Sequence, residues 1–126
     1  MDLRLRLLAP VITLLAFASG APAAAPTGEP VKLGFFMSVT GRDASFGEAA
    51  LRGARLAVDD LNAAGGILGR PLAYLVEDIQ SKQGESATAV KKLISRDKVV
   101  AVIGANASAN SLEGAPVCQN SKIPMM

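Results

Sequence analysis

The chain has 126 residues, half of them hydrophobic and 19% charged, with a formal net charge of +2; this fits one domain and leaves no room for two. With no His and one cysteine, Cys118, it excludes Ser-His-Asp and Cys-His catalysis, His-ligated metals, CxxC sites and an internal disulfide. So small a charge, with no Lys/Arg cluster, argues against a nucleic-acid partner.

Residues 1–23 read as an export leader. Arg4 and Arg6 precede a 12-residue apolar run at 7–18, and Ala21 and Ala23 supply the small residues a signal peptidase requires. A membrane span needs about 20 apolar residues, so a signal peptide cleaved after Ala23 is favoured over an uncleaved anchor. Its removal leaves 103 residues, 48 of them hydrophobic, an ordinary proportion for a globular domain. The mature protein is therefore expected in the periplasm. Residues 24–30, rich in Pro, Gly and Ala, form a linker.

In residues 31–37, Val31, Leu33, Phe35 and Met37 alternate, which predicts a strand. Residues 38–46 are read as a loop containing Thr40-Gly41 and Asp43. A helical period follows from Gly47, with Ala50, Ala54, Ala57, Val58 and Leu61 as its buried stripe and Asp59-Asp60 on its solvated face. Gly65-Gly66 ends that helix, and residues 72–77 form a second strand. A second helix carries Ala87, Val90, Leu93 and Ile94 inward, with Lys91, Lys92 and Arg96 outward. The apolar run 99–103 predicts a central strand, followed by a small-residue loop over 104–110. A weaker third helix spans residues 112–120, broken or kinked near Pro116, and residues 123–126 begin a fourth strand. The alternation predicts an α/β fold, a parallel sheet with helices on both faces.

Ligands of such sheets bind beyond the carboxyl ends of the strands, where neighbouring connections diverge. The loops at that end carry Ser38, Thr40, Gly41 and Ser45 in one, and Asn106, Ser108, Asn110 and Ser111 in the other. Short side chains leave backbone N–H groups open to an anion such as a carboxylate. A competing reading makes Ser108 or Ser111 a cap of the third helix. GxGxxG and GxxxxGK[ST] are absent, and no cofactor is expected. Glu77-Asp78 ends a strand and is suited to holding a turn, and Cys118 is expected to be buried.

Residues 33–41, Phe46-Gly47, residues 53–72 with their Asn-Ala-Ala-Gly-Gly-Ile-Leu-Gly-Arg-Pro segment, Lys92-Leu-Ile, and Val102-Ile-Gly104 with Ser108 together resemble the start of branched-chain amino-acid (Leu/Ile/Val) binding proteins. These are periplasmic receptors of ABC importers with the type I two-lobed fold. The resemblance implies a small ligand, an amino acid or related carboxylate or amide, trapped between two lobes that close by hinge motion. It also implies docking of a monomeric receptor on a membrane ABC permease. Ser108 would receive the ligand carboxylate, Phe46 would border its side chain, and Asn106 and Ala107 would contribute backbone-level contacts. Some members tie the loop after the second strand to the Ser108 loop by a disulfide; Ser81 and Ala107 stand at about those places, so that tie is absent. Residues 31–126 then read as the N-terminal part of the first lobe of a receptor of about 350–400 residues. A ligand-sensing domain of a receptor or regulator with the same fold is the alternative. An exported enzyme is disfavoured because no nucleophile–base pair is present.

Overall fold

The computed structural model describes residues 24–126, so the leader expected over residues 1–23 lies outside the described residues. Three strands, β1 (Val31–Met37), β2 (Leu72–Asp78) and β3 (Ala101–Ile103), alternate with three helices, α1 (Ala44–Ala63), α2 (Glu85–Ser95) and α3 (Ser108–Ser121). All strand pairs are parallel, in the order β2-β1-β3. After α3 the chain returns beside β3, where Val102 and Met125 form a parallel bridge.

The sheet register sorts the side chains into two faces. Gly34 lies between Leu75 and Val102, which places these three on one face with Phe36. That face meets α2 and α3. A Cβ on Gly34 would stand 3.0 Å from a Leu93 methyl, and one on Gly114 of α3 2.8 Å from the Phe36 ring, so glycine lets both helices approach closely. Phe36, Ile79, Val90, Leu93, Val99, Val102 and Cys118 form the buried cluster there. Complete burial of a side chain such as Leu93 contributes about 1.5–3 kcal/mol. Phe35 and Tyr74, edge to face at 5.9 Å, occupy the opposite face, where α1 lies along Tyr74. Helices therefore cover both faces.

Several boundaries depart from expectation. Helix α1 begins at Ala44, not Gly47, which moves Phe46 from the loop onto the first helical turn. Only Gly47 and Val58 of α1 are buried; Ala50 and Ala54 are partly covered, and Ala57 and Leu61 are exposed. The helix meets the β2 side of the sheet, and among the described residues nothing covers its remaining apolar flank. Strand β3 is shorter than 99–103, because the Val99 N–H turns to the Leu93 carbonyl at the end of α2. Helix α3 starts four residues early and runs through Pro116 without a break. Pro116 offers no N–H to the Leu112 carbonyl, but both residues are exposed and water can satisfy that group.

Candidate functional site

Strand order and helix faces locate the site. From β1 the chain passes over one face to β2, whereas from β3 it passes over the other face toward the segment beside Met125. The connections after β1 and β3 thus diverge from adjacent strands, leaving a crevice at their carboxyl ends.

The β1–α1 loop, residues 38–43, is held from the β2–α2 connection. The Asp78 carboxylate accepts the N–H groups of Val39 at 3.0 Å, Thr40 at 3.2 Å and Gln80 at 2.8 Å, and also the Thr40 hydroxyl. Partial burial pushes the Asp78 carboxyl up, but the hydrogen bonds from the Thr40 hydroxyl and the three N–H groups outweigh it and hold it below the usual aspartate range. Ser81 Oγ accepts the Asp43 N–H at 3.0 Å and donates to the Thr40 carbonyl at 3.3 Å. Gly41, at φ +86°, sits so close to the Gln80 carbonyl that a Cβ would stand 2.5 Å from its oxygen. The neighbouring Glu77 faces the other way and pairs with Lys92 of α2 and with Arg96 at its C-terminal cap, each at 2.6 Å. Adjacent carboxylates on a strand thus serve opposite faces, and among the described residues no three His, Cys, Asp or Glu side chains cluster.

The β3–α3 loop, residues 104–107, is held less tightly. Ser111 Oγ donates to the Ala105 carbonyl at 2.9 Å, and the Gly104 N–H donates to the Met126 carbonyl at 2.7 Å. Ala107, in extended backbone, occupies the cap position of α3, and no side chain caps its first-turn N–H groups. The capping reading of Ser108 and Ser111 is therefore corrected: Ser108 is the first helical residue and exposed, and Ser111 bonds a loop carbonyl.

Between the loops lies an open cleft of about 280 Å³, lined by Arg42, Asp43, Phe46, Asn106 and Ala107. Phe46, 65% exposed, forms its aromatic wall. Arg42 Nε and Nη2 bond the two Asp43 carboxylate oxygens at 3.1 and 3.3 Å, which raises the Arg42 pKa further. Three of the four residues singled out from the sequence, Phe46, Asn106 and Ala107, line this cleft. Ser108 follows Ala107 directly but is outside the lining set. Arg42 and Asp43 were not singled out for contact, although they follow Thr40-Gly41 directly; nor was Ser81 as a support of this loop. The cleft supplies ion-pairing and hydrogen-bonding groups around an aromatic ring, and no nucleophile with a base. Among the described residues, no helix is long and apolar enough to cross a membrane.

A family described as periplasmic binding protein matches residues 30–126. The chain belongs to that family. Within it, the chain is 34% identical over 84 residues to an amino acid binding protein of Pseudomonas aeruginosa, covering 67% of this chain and 22% of the relative. It is 36% identical over 94 residues to the Leu/Ile/Val-binding protein homolog 8 of Brucella abortus, covering 75% of this chain and 23% of that protein. Among solved structures, the branched-chain amino acid transporter substrate binding protein LivJ of Streptococcus pneumoniae, in complex with isoleucine, superposes with a TM-score of 0.74. The two are 33% identical, and the match covers 77% of this chain and 28% of that one. The leucine binding protein LivK of Thermotoga maritima gives a TM-score of 0.70 at 33% identity, over 75% of this chain and 26% of that one. The chain thus spans about a quarter of the length of the relatives it matches. The sheet and helices described above are a segment of the type I periplasmic binding protein fold.

Proposed function

We propose that this chain carries part of the first lobe of an extracytoplasmic solute receptor that delivers a small amino acid, or a related carboxylate or amide, to an ABC importer. The observation that carries the reading is the cleft at the divergence of the β1 and β3 connections, framed by Phe46, Asn106 and Ala107. In this reading the uncapped first turn of α3, with the Ser108 hydroxyl, receives the solute carboxylate. Phe46 borders the solute side chain, and the backbone of Asn106 and Ala107 lines its path. A second lobe closes over the solute, and the closed monomer docks on the membrane permease. Export by a cleaved leader over residues 1–23 places the receptor in the periplasm, where it binds and performs no chemistry. The amino-acid ligands in the names of the relatives support this solute class.

The test is isothermal titration of the full product of the reading frame with leucine, isoleucine, valine, glutamine, glutamate and urea. Saturable binding of at least one is expected; silence toward every amino acid and amide would sink the proposal.

A further inference from the structure

We propose that Arg42 recognises the far end of the solute and selects one ending in a carboxylate or carboxamide oxygen over one ending in a branched aliphatic group. The inference rests on the receptor reading above and deepens it.

The first support is the composition of the cleft. Among the described residues its lining holds an arginine, an aspartate and an asparagine beside one phenylalanine and one alanine, so its polar groups gather at Arg42, Asp43 and Asn106 while most of the exposed surface is apolar. A leucine or valine side chain gains by burial against apolar groups. Against Arg42 and Asp43, however, it would strip water from a guanidinium and a carboxylate without replacing the lost hydrogen bonds, which opposes binding at that end of the cleft.

The second support is the geometry of Arg42. A guanidinium carries five N–H donors. Asp43 engages one on Nε and one on Nη2, which fixes the plane of the group and leaves the other three donors free. The side chain is 86% exposed. Free donors on a planar fork match the oxygens of a carboxylate or an amide.

The third support is that the residue stands on a prepared platform. Arg42 lies between Gly41, packed on the Gln80 carbonyl, and Asp43, whose N–H is held by Ser81. Asp78 fixes Val39 and Thr40 just before it. Little backbone order is lost when such a loop meets a ligand. Asn106 and Ala107, which lead into the uncapped first turn of α3, line the cleft together with Arg42, so a solute anchored at that turn by its α-carboxylate directs its far end toward Arg42.

The experiment compares L-glutamine, L-glutamate, L-leucine and L-valine by isothermal titration of the full product of the reading frame and of its Arg42→Met variant. Glutamine or glutamate is expected to bind at least about tenfold more tightly than leucine, the factor of one charge-assisted hydrogen bond. Arg42→Met is expected to remove that preference, weakening the polar solute about tenfold and leaving leucine within about twofold. Because the side chain is exposed, the variant should melt at the wild-type temperature. Tighter binding of leucine or valine, or an equal loss for all solutes in the variant, overturns the inference and leaves the receptor reading standing. Silence toward all four, and toward isoleucine and urea, removes the receptor reading and this inference with it.

Discussion

The two loops that frame the cleft are built in opposite ways. The β1–α1 loop is fixed by a buttress behind it: Asp78 engages Val39 and Thr40, and Ser81 engages Asp43 and Thr40. The β3–α3 loop bonds to its own helix through Ser111 and to the Met126 carbonyl, and leaves the first turn of α3 uncapped. One wall thus has its backbone N–H groups held within the protein and presents only the Arg42 side chain, and the other leaves backbone groups available. In a binding cleft this division is useful, because a donor already satisfied inside the protein has nothing to offer a ligand. It also means that substitutions of the buttress residues and of the first turn of α3 should separate stability from affinity.

The largest effect is expected at Gly47, where α1 lies on the first loop. A Cβ there would stand 2.0 Å from the Ser38 carbonyl oxygen, a backbone group that cannot move aside alone. Gly47→Ala is predicted to cost about 3 kcal/mol in urea denaturation of the full product. A loss below about 1 kcal/mol would show that the loop is softer than described. Next comes Asp78→Ala, which strands the Val39, Thr40 and Gln80 N–H groups and should cost about 2 kcal/mol. Asp78 also sets a pH dependence. Its folded pKa is depressed, so its contribution is complete above the unfolded value of about 3.9 and is lost as the pH falls through the folded value. Acid titration of stability should therefore be less steep in Asp78→Asn than in wild type; parallel curves would remove the carboxylate from the buttress. Ser81→Ala, which loses two hydrogen bonds, is expected to cost about 1 kcal/mol by the same denaturation assay.

On the open wall, Ser108→Ala should change stability by less than about 0.5 kcal/mol, because the hydroxyl is exposed and caps nothing. Its effect belongs to affinity, a loss of about 1.5–3 kcal/mol if the hydroxyl meets a carboxylate. A stability loss comparable to that of Ser81→Ala would erase the contrast between the loops.

Much of this was legible in the residues themselves. The alternation of Val31, Leu33, Phe35 and Met37 gave β1 with its observed bounds, and the period through Ala87, Val90, Leu93 and Ile94 identified α2. The loops at the strand ends follow from the βαβ order alone. Periodicity marks an apolar stripe but not the width of the element it meets, which is why Ala57 and Leu61 of α1 were expected inside and lie outside. Helix starts were placed late because Ser45, Ser108, Asn110 and Ser111 are equally at home in a loop and in a first turn. Pro116 was expected to interrupt α3, yet exposure of the freed Leu112 carbonyl lets the helix continue. Arg42, Asp43 and Ser81 were hidden for a different reason. Their roles arise from pairings across about forty positions or from a cleft that exists only once β1 and β3 are adjacent, and no local pattern encodes either.

In the proposed receptor, solute binds between these two loops. Amide hydrogen exchange of the full product, followed by mass spectrometry with and without a solute that binds it, tests this most directly. Slower exchange on binding is predicted in residues 38–47 and 104–110. Protection confined to the opposite end of the strands, around Lys32, Arg70 and Lys98, with both loops unchanged, would contradict it.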